Sequence, residues 1–241
     1  MTQDQQAMLY GLGAVALWST VATAFKVALA WMSPLELMWI AALVSWLLMG
    51  ALVFKQGNMA LALRQGWRTA LWAGLMNPVA YYLVLFAAYD RLPGQEAMAL
   101  NYTWALAMAF LAVPLLGHRL TRLDVAAGVV AYSGVWVIAT RGNVFNVAFE
   151  DPLGVLLALS STLLWALYWL LNARDQRQPL VGQWQNFSVG LPVLTMLLLL
   201  GPGVQWHGWP ALGAGVYVGL FEMGVAFVLW QLAVQKVSRT A

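Results

Sequence analysis

Apolar runs long enough to cross a bilayer recur eight times in this chain, and they limit its fold more than any other feature. A helix needs roughly 20 mostly apolar residues to span the hydrocarbon core. The runs at 8–31, 34–54, 67–89, 95–116, 122–140, 153–173, 182–200 and 209–235 approach or exceed that length. They are continuous, without the strict alternation of a transmembrane β-barrel. Charge is scarce: 62% of the 241 residues are hydrophobic and 9% are charged. Twelve basic and nine acidic residues cannot give a chain of this length a water-soluble surface. The fold class is therefore all-α, a polytopic transmembrane helical bundle with the lipid bilayer as its solvent.

Several function classes fall away at once. With no cysteine there is no disulfide, thiolate metal site or cysteine nucleophile. The net charge of +3 is spread over short connections and is not a nucleic-acid footprint. The two histidines, His118 and His207, fall in predicted connections on opposite sides of the membrane, and no HExxH or P-loop occurs. No cofactor or metal is called for. A membrane-embedded enzyme or a non-transporting scaffold stays open as an alternative, but neither has a motif behind it.

The start, "MTQDQQAM", lacks the basic region of a signal peptide, so the first span is read as retained. Basic residues set the orientation. With the N-terminus inside, the cytoplasmic segments hold Lys55, Arg64, Arg68, Arg119, Arg122, Arg174, Arg177, Lys236 and Arg239, and the external ones only Arg91 and Arg141. The connections are short and carry turn residues, as in "RLPGQ" and "GPGVQWHGWP". Glu36 completes "SPLE", where Ser33 as N-cap, Pro34 at the first helical position and Glu36 at N3 form a capping box.

The chain also repeats itself. "ALWST" in the first span has a partner in "LLWAL" of the sixth, with Trp18 opposite Trp165. "GLMNPVAYYLVLFAAYDR" in the third lines up with "GLFEMGVAFVLWQLAVQK" in the eighth, matching Gly74 with Gly219, Leu75 with Leu220, Tyr82 with Phe227 and Arg91 with Lys236. A sixth span that repeats the first makes a unit of five helices. Five is odd, so the second copy enters the membrane inverted, an arrangement of secondary transporters. The expected division is 1–141 for the first repeat and 152–241 for the second, with the counterparts of the fourth and fifth spans absent before Ala241.

These stretches, with "LWST" and Lys26, "LNYTW" closing in "PLLGHRL", "GVVAYSGVWVIAT", "LLWALYWLLNAR" and "FEMGVAFVLWQLA", resemble the EamA-type drug/metabolite transporter superfamily. "LNYTW" and "LWST" look like its bacterial aromatic amino-acid exporter branch. The resemblance implies ten helices in two inverted repeats, a central cavity, and export of amino acids or related metabolites across a bacterial inner membrane. A multidrug or nucleoside-type carrier shares the same implied fold. The family commonly ends its fourth helix "LGE", where this chain has "LGHRL" with His118.

Polar groups in lipid are costly unless they find partners or line a water-filled cavity. The candidate substrate contacts are therefore Trp18, Ser19, Asn77, Tyr81, Tyr82, Asn101, Tyr102, Trp104, Trp165, Tyr168 and Glu222. Glu222 lies mid-span, too deep to reach water. It reads either as a proton- or amine-binding group or as a packing hydrogen bond. Asn77 is its repeat partner, and the "NP" it forms with Pro78 predicts a bend. Lys26 either snorkels outward or pairs with Glu222 or a substrate carboxylate. The deep aromatics, Trp169 among them, pack together or line a pocket for apolar and aromatic side chains. Asn101 and Trp104 lie three apart on one face of a continuous fourth helix, facing the cavity, while Thr103 bonds its own backbone.

Overall fold

The computed structural model describes residues 2–117, 119–140, 142–145, 151–201 and 203–238. All eight predicted spans are helical, and no strand occurs among the described residues. In chain order the helices are α1 (Gln3–Trp18), α2 (Val21–Leu29), α3 (Pro34–Lys55), α4 (Met59–Arg64), α5 (Trp67–Gly74), α6 (Tyr81–Arg91), α7 (Gly94–Asn101), α8 (Trp104–Leu116), α9 (Arg122–Ala139), α10 (Pro152–Ala173), α11 (Pro179–Leu200), α12 (Trp209–Tyr217) and α13 (Ala226–Ser238). A kinked segment, Leu75–Ala80, joins α5 to α6, and a π-helical segment, Val218–Val225, joins α12 to α13. Among the described residues six spans are long and apolar enough to cross a membrane: Gln3–Leu29, Pro34–Lys55, Trp67–Arg91, Gly94–Leu116, Pro152–Ala173 and Trp209–Lys236. The other two predicted spans correspond to α9 and to α11, whose first half carries Gln183, Gln185 and Asn186.

Four spans are less regular than continuous helices. Between α1 and α2 the Ser19 and Thr20 hydroxyls donate back to the Ala16 and Leu17 carbonyls. Between α7 and α8 the Thr103 hydroxyl does the same to Leu100. Such back-bonding competes with the helical ladder. At Asn77 the backbone is extended (φ −147°, ψ 121°) before a cis bond to Pro78, which has no N–H to give. At α3 the predicted capping box is present, with Ser33 Oγ accepting from the Glu36 N–H and Glu36 Oε2 accepting from the Ser33 N–H.

The helices form two compact units, Met1–Val79 with Asn172–Ala241, and Ala80–Leu171. In the first unit α1 packs along α13, and α3 along both α11 and the π-helical segment. Two close approaches there share one design. A β-carbon at Gly219 would sit 2.7 Å from the Ala41 carbonyl oxygen and 2.7 Å from Val44 Cβ. One at Gly74 would collide with the Asn186 carbonyl oxygen and sit 2.9 Å from Val189 Cβ. Ala41, Val44 and Gly74 precede Asn186, Val189 and Gly219, respectively, by the same number of residues. The same interval separates Ser33 and Pro34 from Gln178 and Pro179, the N-caps and first residues of the equally long α3 and α11.

Backbone lies against these glycines, so an added methyl forces the helices apart. Gly219→Ala is expected to cost about 1–3 kcal/mol, read as a lower unfolding temperature in detergent. Gly213→Ala, whose β-carbon would meet nothing within 4 Å, should leave that temperature unchanged or raise it slightly.

The second unit is built on Ala88, Leu92, Ala97, Leu100 and Ala158, with Val135, Val155 and Leu159 packed against them. Small residues let α7 approach α6 and α9 closely, as membrane helices do when lipid supplies no hydrophobic drive.

Candidate functional site

The candidate residues divide between the two units. In the first, Trp18 closes α1, and its indole N–H donates to the Glu222 carbonyl oxygen at 3.3 Å. Ser45 Oγ, from α3, donates to the Gly219 carbonyl at 2.7 Å. Both acceptors lie in the Val218–Val225 π segment, where the interrupted i→i−4 ladder leaves carbonyls to be taken by side chains. Trp18 also packs on Trp230 (ring centroids 5.5 Å apart) and edge-on to Phe227 (6.4 Å), which meets Phe187 of α11. The Glu222 side chain is buried at 6% exposure. Ser19 is exposed, and its hydroxyl serves its own helix. The side chain of Lys26 lies outside the described residues, as does His118, so the Glu222–Lys26 pair is not placed.

Asn77 stands apart from the others. It is fully buried, at 0% exposure. Neither Oδ1 nor Nδ2 of its amide meets a hydrogen-bond partner among the described residues. Beside it, a β-carbon at Gly190 would come within 2.7 Å of the Pro78 ring, so α11 passes directly over the bend.

The second unit gathers the aromatics. Trp165 on α10 is the hub, with Tyr81 at 4.3 Å, Trp169 at 5.5 Å, Tyr168 at 6.2 Å and Trp104 at 6.4 Å between ring centroids. Tyr82 leans edge-on against Tyr81 at 4.8 Å. Offset and edge-on pairs of this kind contribute about 0.5–1.5 kcal/mol each beyond their buried area. A hydrogen-bonded chain runs through the cluster. Tyr81 OH donates to Asn101 Oδ1 (3.4 Å), Asn101 Nδ2 donates to Ser161 Oγ (3.0 Å), and Ser161 Oγ donates to the Ala158 carbonyl (2.6 Å).

One expectation needs correction here. Asn101 and Trp104 do not share the face of one continuous helix, because the chain breaks at Tyr102 and Thr103. Both nevertheless turn toward α10, one to Ser161 and the other to Trp165. Tyr102 is 47% exposed.

A polar network was missed from sequence. Arg177, in the connection between α10 and α11, ion-pairs with Asp175 at 2.7 Å. Its guanidinium also donates to Gln185 Oε1 (2.9 Å) and Asn186 Oδ1 (3.0 Å). Gln185 Nε2 donates onward to the Ala62 and Gln65 carbonyls, and Gln235 Nε2 to the Asp175 carbonyl. Asn172, Gln231 and Gln183 form a second buried amide chain. The signal was the density of polar residues in "NARDQRQPLVGQWQN" running into an apolar span.

At the other end of the first unit, Glu36 does more than cap. Its Oε1 accepts from the Gln205 N–H and lies 3.1 Å from His207 Nε2. Outside the spans, the Gly154 amide and Arg91 hold the Asp151 carboxyl below its ordinary pKa. A separate apolar groove of about 610 Å³ runs between α3 and α11, lined by Trp46, Ser188, Pro192, Thr195 and Leu199, with no candidate residue in it.

The model of the EamA-like transporter family matches residues 5–140, more than half of the chain. The chain belongs to the EamA-like transporter family. An EamA-like protein is an integral membrane transporter of small molecules, and the polar and aromatic groups inside these spans are read in that light. Among solved structures, a crystal structure of a protein superposes with a TM-score of 0.79 at 25% identity, over 96% of this chain and 80% of the other. No curated protein matches the sequence.

Proposed function

We propose that this EamA-like protein exports amino acids or related small metabolites across a bacterial cytoplasmic membrane by alternating access, with its N-terminus inside. The observation that carries the reading is Asn77. A fully buried amide with both polar atoms unmatched by described protein groups costs about 1–3 kcal/mol, and more where no water competes. A membrane span keeps such a group where a solute or a second conformation uses it. The aromatic set of the second unit supports a substrate with an apolar or aromatic part, which rings of this kind accept by stacking.

The inverted repeat of 1–141 and 152–241 belongs to this proposal. It is supported by the paired glycine contacts and by interruptions of the α-helix at matching places in the third and eighth spans. The orientation is supported by hydrogen bonds that bring predicted cytoplasmic connections to one end of the first unit, Gln178 to Gln56 and Lys236 to Gln6. A multidrug or nucleoside-type carrier is the alternative on the same fold, and a substrate panel separates the two.

Asn101 gives the test. Asn101→Leu severs Tyr81 from Ser161 inside the ring cluster, whereas Thr103→Ala removes only a bond to Leu100 within its own turn. Transport by reconstituted protein should fall at least about tenfold for Asn101→Leu, equivalent to roughly 1.4 kcal/mol, and little for Thr103→Ala. The reverse order would remove Asn101 from the substrate path.

A further inference from the structure

We propose that Arg177 and Asp175 form a latch that holds the basic end of the first unit closed and must release during transport. The proposal rests on the transporter reading above. Four parts of the unit meet at this pair. Asp175 takes the guanidinium through both carboxylate oxygens, while its own backbone carbonyl accepts from Gln235 of α13. Arg177 reaches Gln185 and Asn186 of α11, and Gln185 carries the connection to the carbonyls of Ala62 and Gln65 ahead of α5. Gln178 ties the same corner to Gln56 beyond α3. Gly66 keeps the loop close: its φ is +87°, and a β-carbon would fall 2.6 Å from Arg177 Cδ.

The chemistry suits a latch better than a static scaffold. The pair is almost fully buried, with side-chain exposures of 10% and 4%. A buried ion pair recovers little net stability after desolvation, and its best-attested use is to choose between arrangements. Beyond Asp175, the acceptors around Arg177 are side-chain amides, which stay satisfied in water when the corner opens. Lys55, Arg64, Arg68 and Lys236 each lie within three residues of a member of this network. An opening there faces water and not lipid tails.

The absence of cysteine makes the test clean. In the otherwise intact chain, Gln56→Cys with Gln178→Cys is bridged by a short reducible bis-methanethiosulfonate crosslinker. The bridged protein should lose at least about tenfold in transport rate, and reduction should restore it; a scaffold that never opens would transport equally in both states, which overturns the latch. A second measurement does not need transport. Val181→Cys reports on a side chain that is 3% exposed in the first turn of α11. Its labelling by a water-soluble maleimide should be slow in the parent and at least about tenfold faster with Asp175→Asn or Arg177→Ala, at unchanged helical content. Equal labelling in folded variants overturns the latch. So does a loss of fold in both variants, which would make the pair a structural requirement. If labelling rises as expected while no solute is transported even after reduction, the latch stands and the transport reading fails.

Discussion

Asn77→Leu is expected to make the protein more stable and to stop it transporting. The side chain is fully buried in a bent span, and its amide meets no partner among the described residues. Leucine occupies similar space without stranded polar atoms. Removing an unsatisfied amide returns about 1 kcal/mol or more, which for a chain of this size raises the unfolding temperature by roughly 2–4 °C. The Pro78 bend and the Gly190 contact over it remain. Transport should fall at least about tenfold if, as proposed, a solute or a second conformation uses this amide. Gain of stability with loss of activity is the pattern of a functional group kept at a structural cost. A variant that is less stable and equally active would show Asn77 to be a packing residue.

The second large effect is expected at Glu222. Its carboxyl is buried in the π segment, and its backbone carbonyl is fixed by Trp18. Glu222→Gln keeps the shape and the Trp18 bond, since that bond is made to the backbone. If Glu222 carries the coupled proton, the substitution should flatten the dependence of transport on pH between the two faces of the membrane and leave folding intact. An unchanged pH profile would remove Glu222 from coupling and leave it as a packing hydrogen bond. The comparison with Asn77→Leu is informative because the two residues stand at matching interruptions of their spans, a kink at Asn77 and a π-helical turn at Glu222. One substitution should abolish movement of solute, and the other its response to protons.

The spans and their caps were legible because they depend on local pattern. Ser33, Pro34 and Glu36 specify the start of α3 within four residues. The "NP" at Asn77 announced the bend for the same reason. The breaks at Ser19–Thr20 and Tyr102–Thr103 were not legible, because hydroxyl back-bonding is weak and many helices tolerate it. Partners far apart in sequence were also hidden. Glu36 looked like a cap alone, yet its second oxygen serves Gln205 and His207. Gln185 reads as a polar residue in an apolar span until Arg177, Ala62 and Gln65 are brought to it. The Trp165 cluster was anticipated by composition, but its order, with Asn101 held between Tyr81 and Ser161, needed the packing of α7 on α10.

Solute counterflow in proteoliposomes of the purified chain tests the central claim most directly. Vesicles are loaded in turn with amino acids, nucleosides and amphipathic amines, and entry of the labelled solute is followed. The account predicts saturable counterflow for at least one aromatic or apolar amino acid, lost in Asn77→Leu while that variant unfolds at a higher temperature than the parent. Absence of counterflow with every solute for folded parent protein, or counterflow by Asn77→Leu at the parent rate, would contradict it.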